Sequence, residues 1–227
     1  MSPLPQAPAR RRARRARFLV VLDVDSTLIE DEVIELVAER AGKREQVAEI
    51  TERTMRGELD FEGSLRERVR LLAGIPRERL DAIRDEVTVT KGVPELVEGV
   101  HRAGGVVGVV SGGFHEILDP LAERLGLDRW RANRFAVGED GALTGEVDGP
   151  IIGREAKRET LEQWASELGV PLERTVAIGD GANDLGMMSV AGCSIAFDAK
   201  PVVREQASVS MPQRDLAQTL PLLGLAG

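Results

Sequence analysis

Two carboxylates stand at the end of an apolar run near the start of the chain. Asp23 and Asp25 follow FLVVL and precede a hydroxyl pair, Ser26 and Thr27. Residues two apart in an extended strand point to the same face, so we expect the two carboxylates to lie close together and to repel each other. A structural role would seldom require this crowding, and the motif DVDST therefore predicts a functional site.

A second carboxylate cluster lies far along the chain. Asp180 and Asp184 in GDGANDL follow another apolar run, TVAIG. Ligands of open α/β sheets bind beyond the carboxyl ends of the strands, where both clusters would meet. Carboxylates without His or Cys partners suit a hard cation, so we expect Mg²⁺. His101 and His115 lack zinc-ligand spacing, and we expect them at the surface.

Two further segments offer groups that could hold a phosphate. Ser111 and Gly112, in the motif SGG after VVGVV, supply a hydroxyl and backbone N–H groups at a strand end. Lys157 stands at the start of the helix pattern REAKRETLEQW, where the helix dipole does not favour a cation. Taken alone, this lysine is either a functional charge or an ordinary surface residue.

The pattern of elements predicts how these motifs are positioned. FLVVLDVD is typical of a strand buried on both faces, whereas residues 30 to 90 are helical, with stops at Gly42 and Gly74. The remaining segments alternate helix with strand, which predicts a doubly wound, mainly parallel α/β sheet with a helical insertion after its first strand. The turn signal Asp140-Gly141 adds a β-hairpin.

Composition narrows the classes of partner. The chain has 227 residues, 38 acidic against 30 basic, and a formal charge of −8, which argues against nucleic acid. Residues 1–17 are rich in Pro and Arg, and we expect a disordered leader, because Asp23 ends the apolar run too early for an export signal. No run approaches the roughly 20 apolar residues of a membrane span. With one cysteine, Cys193, the sequence predicts a cytoplasmic protein without an internal disulfide.

The four motifs in this order resemble those of the haloacid dehalogenase (HAD) superfamily of phosphatases, and within it the phosphoserine phosphatases. The resemblance spans roughly residues 18–210. It implies a HAD-like catalytic core at residues 18–29 and 92–227, a helical cap at residues 30–91 and a β-hairpin flap.

The resemblance also implies roles for the motif residues. Asp23 would be the nucleophile that forms an aspartyl phosphate, and Asp25 the general acid and base. Because Asp25 must begin protonated, we expect its pKa to be raised by repulsion from Asp23. Lys157, Ser111 and Gly112 would hold the phosphoryl oxygens. Mg²⁺ would be bound by the residues of the two acidic motifs, namely Asp23, Asp180 and the backbone carbonyl of Asp25, with Asp184 supporting them.

The implied substrate is O-phospho-L-serine, hydrolysed to serine and phosphate in the last step of serine biosynthesis. Glu32 would bind its ammonium, Arg68 its carboxylate, Met55 and Phe61 would form an apolar wall, and Asn183 would reach the phosphate or the substrate. An acid and a guanidinium fit the ammonium and carboxylate of such a substrate. Each residue also has a local structural explanation, such as an acid at a helix start or an arginine on a solvated face.

Three alternatives remain open at the level of sequence. A HAD phosphatase or phosphotransferase could act on another small phosphomonoester. A receiver-like phospho-acceptor domain also combines Asp, Mg²⁺ and Lys, but it needs neither the second aspartate nor an insertion of about 60 residues. A binding protein could have kept the fold and lost the chemistry, although the intact acidic and lysine motifs argue against it. The sequence indicates no oligomeric state.

Overall fold

A seven-stranded sheet forms the centre of the molecule in the computed structural model, which describes residues 16–55 and 58–225. The strands are β1 (Leu19–Leu22), β2 (Val106–Phe114), β3 (Arg129–Val137), β4 (Leu143–Asp148), β5 (Thr175–Gly179), β6 (Cys193–Phe197) and β7 (Val209–Met211). Their order is β4-β3-β2-β1-β5-β6-β7, and each neighbouring pair is parallel except β3 with β4. The predicted doubly wound, mainly parallel sheet is therefore confirmed. Of the predicted leader, residues 1–17, the first 15 lie outside the described residues.

Ten α-helices occur within the described residues. They are α1 (Val33–Arg40), α2 (Arg44–Met55), α3 (Phe61–Arg70), α4 (Arg79–Arg84), α5 (Val93–Arg102), α6 (His115–Leu125), α7 (Arg154–Leu168), α8 (Leu185–Met188), α9 (Pro201–Arg204) and α10 (Thr219–Leu222). The first five lie between β1 and β2, and the first four of these occupy the stretch where the sequence predicts the helical insertion. None of the helices within the described residues is long and apolar enough to cross a bilayer.

Strand β1 is buried on both faces because apolar side chains occupy all four of its positions. Val20 and Leu22 pack in the larger core cluster with residues of α5 and α6, whereas Leu19 and Val21 pack in a second cluster with residues of α7. All four side chains are fully buried, each worth about 1.5–3 kcal/mol relative to exposure. This double burial fixes the strand that leads directly into Asp23.

The predicted helix stops and hairpin are present. Gly42 and Gly74, after α1 and α3, adopt φ angles of 66° and 81°, a left-handed conformation that glycine adopts without a Cβ clash. Strands β3 and β4 form the antiparallel hairpin, and its turn contains the predicted Asp140-Gly141 pair.

The helical insertion is hydrogen-bonded to this hairpin. The Gly74 N–H donates to the Leu143 carbonyl at 2.8 Å, and the Leu143 N–H donates to the Ile75 carbonyl at 2.8 Å. Arg77 N–H donates to Gly141 at 3.0 Å. These bonds cover part of the outer edge of β4, which would otherwise present unpaired backbone groups.

Candidate active site

The DVDST motif forms a tight turn at the carboxyl end of β1. Asp23 extends the pairing of β1 with β5, since its N–H donates to the Ile178 carbonyl at 2.9 Å. The chain then passes through an irregular helical turn, Val24–Leu28, in which Asp25 is extended and Ser26 has a φ angle of 57°. This backbone path directs Asp23 and Asp25 to different partners.

Lys157 is a buried residue of the site and not a surface lysine. Its side chain is 0% exposed, and Nζ lies 2.7 Å from Asp23 Oδ1 and 2.7 Å from Asp184 Oδ1. Burial alone would lower the pKa of Lys157, but the carboxylates of Asp184 and Asp23 outweigh burial and raise it. The lysine therefore stays charged, and the unfavourable position at the start of α7 is offset by two buried ion pairs.

Three carboxylates from the two acidic motifs converge, as the sequence predicts. Single oxygens of Asp23, Asp180 and Asp184 lie within 4.8 Å of one another. Burial and then the Asp184 charge raise the pKa of Asp23 well above its usual range, and the same two causes raise that of Asp180 to about 6. Crowded oxygen donors whose charged forms are disfavoured are suited to a divalent cation.

The three carboxylates are not equally available to a cation. Asp184 is fully buried, and its Oδ1 pairs with Lys157 while its Oδ2 accepts the Gly181 N–H at 3.0 Å. The Asp180 carboxylate accepts only the Thr27 hydroxyl, at 3.3 Å, among the described hydrogen bonds. Asp23 and Asp180 are therefore the more available ligands, and Asp184 orients the lysine and the loop around them.

Asp25 is held separately from the three-carboxylate cluster. Its Oδ1 accepts the Val33 N–H at 2.8 Å, and its Oδ2 accepts the Ser111 hydroxyl at 3.2 Å. Burial, followed by the charge of Glu32, raises the pKa of Asp25 to about 7. The raised pKa matches the sequence expectation, but its cause differs. Burial and the charge of Glu32 raise it, whereas the sequence predicts repulsion from Asp23.

The SGG motif lies at the end of β2, beside Asp25. The Ser111 hydroxyl is occupied, since it donates to Asp25 and accepts the Gly113 N–H at 2.7 Å. Asn133 of β3 donates to the Gly112 carbonyl at 2.8 Å and accepts the Ile152 N–H at 2.8 Å. The Gly112 and Gly113 backbone lines the cavity described next, whereas the buried Ser111 side chain orients its neighbours.

A cavity of about 360 Å³ lies between this edge of the sheet and the helical insertion. The core residues that line it include Asp23, Asp25, Gly112, Gly113, Asp180, Gly181, Asn183 and Lys200. The insertion and the segment leading into it contribute Glu32, Ile34, Glu35, Thr51, Phe61, Leu65 and Arg68. The structure thus brings the predicted acidic, backbone-donor and insertion residues around one space.

The residues of the insertion place opposite charges in this cavity. Glu32 accepts the Ser26 hydroxyl at 2.8 Å, and Arg68 Nε donates to the Ser64 carbonyl at 3.3 Å. Burial lowers the pKa of Arg68, while Glu32 and Asp25 act in the opposite direction. The side chain of Met55, predicted for the apolar wall, lies outside the described residues.

Phe61 closes the cavity against the SGG motif. A Cβ built on Gly112 would lie 2.8 Å from Phe61 Cζ, so the glycine permits the ring to approach the backbone. Phe61 thereby bridges the insertion and the core at the position expected for an apolar wall.

Sequence reasoning missed several residues of the site. Lys200 lines the cavity and follows β6, in the sequence FDAK. Because ligands bind at the carboxyl ends of the strands, its position after an apolar run is a signal that could have found it. Glu35 and Thr51 carry no such signal, because helix spacing alone does not show which face meets the sheet. His115 was wrongly expected at the surface: its side chain is 16% exposed, its Nδ1 pairs with Asp119 at 2.5 Å and its Nε2 accepts the Ala132 N–H at 3.1 Å.

Comparison with known proteins places this geometry in a family. The model of the haloacid dehalogenase-like hydrolase family matches residues 20–189, from β1 to just beyond α8. A phosphoserine phosphatase from Streptomyces coelicolor is 53% identical over 212 residues, which cover 93% of this chain and 52% of that protein. A phosphoserine phosphatase from Streptococcus thermophilus is 48% identical over 209 residues, which cover 92% of this chain and 97% of that protein.

The fold agrees with that of a solved relative. A structure of a phospho-aspartyl intermediate analogue of phosphoserine phosphatase matches with a TM-score of 0.85 and 43% identity, over 91% of this chain and 99% of that one. The chain spans about half the length of the Streptomyces relative and nearly all of the other two. This chain therefore belongs to the haloacid dehalogenase-like hydrolase family, and within it to the group of the phosphoserine phosphatases.

Proposed function

We propose that this protein hydrolyses O-phospho-L-serine to L-serine and phosphate through an aspartyl-phosphate intermediate on Asp23. The observation that carries the proposal is the single cavity with paired aspartates at the sheet edge and, from the insertion, Glu32 and Arg68. The first pair supplies the chemistry, and the second fits the ammonium and carboxylate of the leaving group. The names of the relatives support the same reaction.

The chain's own groups account for both chemical steps. In the first, an Asp23 oxygen forms a bond to phosphorus while the phosphorus–oxygen ester bond breaks, and Asp25 gives its proton to the departing serine oxygen. In the second, water attacks phosphorus, its proton passes to Asp25, and the bond to Asp23 breaks. A pKa of about 7 gives Asp25 a proton to donate near neutral pH.

Lys157 and the SGG backbone stabilise the phosphoryl group in this proposal. Lys157 is already fixed beside Asp23, so no side chain has to be reorganised as charge spreads over the phosphoryl oxygens. The Gly112 and Gly113 backbone lines the same cavity. Ser111 acts by holding Asp25, which differs from the direct phosphate contact that the sequence predicts.

We propose Mg²⁺ as the divalent cation. Asp23 and Asp180 would hold it, with the backbone carbonyl of Asp25, and Asp184 would support them through Lys157 and Gly181. The cluster offers only carboxylate oxygens, which suit Mg²⁺ better than zinc. A bound cation would offset the repulsion between the substrate phosphate and the carboxylates.

Residues 30–91 act in this proposal as a cap that reads the leaving group. Glu32 would pair with the ammonium and Arg68, in a bidentate fork, with the carboxylate. Phe61 packs its ring against the Gly112 backbone and would form an apolar wall there. Asn183 also lines the cavity and would contact the phosphate or the substrate.

The test measures phosphate release from O-phospho-L-serine, O-phosphothreonine, phosphoglycolate and an aryl phosphate, with Mg²⁺ and with chelator. We expect phosphoserine to be preferred and turnover to require the cation. Arg68→Ala should lower kcat/KM for phosphoserine by about 10- to 100-fold, since a buried charged hydrogen bond is worth roughly 1.5–3 kcal/mol. The aryl ester, which has no carboxylate, should lose much less.

Arg66→Ala is the matched control, because Arg66 lies on the same helix but is half-exposed, pairs with Glu62 and is not among the residues that line the cavity. It should leave all four substrates unaffected. Equal losses on phosphoserine and the aryl ester in Arg68→Ala would make Arg68 structural, and a preference for phosphoglycolate would favour another small phosphomonoester.

A further inference from the structure

Two non-glycine residues among those described have a left-handed backbone, and both lie at the site edge of the sheet. Ser26, in the turn after β1, has a φ angle of 57°, and Asp198, directly after β6, has a φ angle of 43°. Such conformations persist only where the surrounding structure enforces them, and they cluster at functional sites. What holds these two residues in place therefore bears on the site.

One arginine joins both residues. Arg214, in the segment after β7, pairs through Nη1 with Asp198 Oδ2 at 3.0 Å and donates through Nη2 to the Ser26 carbonyl at 3.4 Å. Its guanidinium also lies over the Phe197 ring, 5.9 Å from the centroid. A planar guanidinium can make these contacts at once, whereas a lysine ammonium offers no such fixed fork.

The Ser26 carbonyl belongs to the peptide that connects the working parts of the turn. The Ser26 hydroxyl donates to Glu32, and the hydroxyl of the next residue, Thr27, donates to Asp180. The preceding residue is Asp25. A shift of this peptide would therefore move the general acid, the ammonium-binding acid and a proposed cation ligand together.

We propose that Arg214 is a positioning residue, which holds the Ser26–Thr27 peptide so that Asp25 and Asp180 keep their reactive placement. Arg214 is half-exposed, its side chain 36% accessible, and exposed ion pairs contribute little to stability. Its loss should consequently appear in the rate of the reaction more than in folding. This role rests on the proposed chemistry of Asp25 and Asp180, but it does not depend on which phosphate ester is the substrate.

The experiment compares Arg214→Gln, Arg214→Lys and Arg134→Gln with the wild type on O-phospho-L-serine and on an aryl phosphate. Arg134 is the matched control, a half-exposed arginine that pairs with Asp119. We expect Arg214→Gln to lower kcat about 10-fold or more on both esters, with KM changed much less, because misplacement of reactive groups by about 1 Å can cost 100-fold. Arg214→Lys should recover only part of kcat, and Arg134→Gln should behave as wild type.

Chemical rescue separates positioning from a general loss of structure. Guanidinium added at millimolar concentration to Arg214→Ala should restore part of kcat, and the same addition should not raise the wild-type rate. In a double mutant with Asp198→Asn the losses should be less than additive, since both residues act through one contact.

A wild-type kcat in Arg214→Gln, or a loss confined to KM, would overturn the proposal. If Arg214→Gln melts below the assay temperature, Arg214→Lys decides: an unchanged kcat contradicts positioning, and a lowered kcat with a wild-type melting temperature supports it. Failure of the proposed function looks different, because the wild type would then hydrolyse the aryl phosphate but not phosphoserine, and the Arg214 comparison would proceed on the aryl ester.

Discussion

At the scale of single residues, Lys157 explains how one carboxylate of the cluster can stay reactive. Its ammonium lies between one oxygen of Asp23 and one oxygen of Asp184. The second oxygen of Asp184 is also occupied, because it accepts the Gly181 N–H. Asp23 accepts the Val24 N–H through Oδ1, the oxygen that also faces Lys157, and none of the described hydrogen bonds involves its Oδ2. In the proposed reaction, Asp23 is therefore the carboxylate with an oxygen available to attack phosphorus.

Asp23→Asn tests this assignment. The amide keeps the shape of the side chain but is a poor nucleophile, so we expect kcat to fall on the order of 10⁴-fold or more. Phosphate release from O-phospho-L-serine measures the loss. Asp148→Asn, at an exposed position at the end of β4, should keep wild-type activity. Substantial turnover in Asp23→Asn would assign the nucleophile to another residue.

At the scale of elements, a polar cluster at one end of α6 fixes the helix to β3. Asp119 accepts from His115 of its own helix, from Trp130 Nε1 at 2.9 Å and from Arg134 Nη2 at 3.2 Å. His115 also accepts the Ala132 N–H from β3. Because His115 is the first residue of α6 and follows the SGG strand directly, its bond to Ala132 helps to fix the carboxyl end of β2.

The Asp119 carboxylate should make stability depend on pH. Burial alone would raise the pKa of Asp119, but the hydrogen bonds from His115 and Trp130 outweigh it and lower the pKa. A lowered native pKa stabilises the fold above the unfolded value of about 3.9, and this contribution disappears as the pH falls through the native pKa. Asp119→Asn should therefore reduce the free energy of unfolding by about 1 kcal/mol at pH 7.

Urea unfolding at pH 7 and pH 3 measures the effect of Asp119→Asn. The difference from wild type should be smaller at the lower pH, because the unfolded wild type already binds a proton at Asp119 there, which removes part of the stabilisation. Asp148→Asn again provides the control, with no pH-dependent difference expected. A gap that stays constant between the two pH values would mean that the charge of Asp119 contributes nothing.

At the scale of the whole molecule, folding collects carboxylates that the unfolded chain keeps apart. Asp23 and Asp180 are separated by more than 150 positions in a chain of formal charge −8, yet their oxygens lie within 4.8 Å. This convergence disfavours the folded state when no cation is bound. Binding of a cation to the folded state alone should stabilise it.

Addition of Mg²⁺ should accordingly raise the melting temperature, with about 2.7 kcal/mol of stabilisation at a concentration 100 times the dissociation constant. Asp180→Asn should lose most of this gain and, without Mg²⁺, should be at least as stable as wild type because one repulsive charge is gone. Differential scanning calorimetry with Mg²⁺ and with chelator measures both. An equal Mg²⁺ gain in Asp180→Asn would place the cation elsewhere.

The sequence by itself determined the elements and the identity of most chemical groups. Alternating apolar runs and helix stops at Gly42 and Gly74 reflect local backbone and burial preferences, which act over a few residues. The motifs DVDST, SGG and GDGAND were assigned to strand ends for the same reason. Because parallel strands place their carboxyl ends at one edge, the convergence of these motifs also followed from the sequence.

Only the tertiary structure decided what each group contacts. Lys157 could not be distinguished from a surface lysine until α7 was packed against β1 and its ammonium lay between two distant aspartates. The raised pKa of Asp25 depends on burial and on Glu32, and the contact of Arg214 with Ser26 spans 188 positions. Burial and contacts between distant segments arise from the packing of the whole chain, and no local pattern in the sequence specifies them.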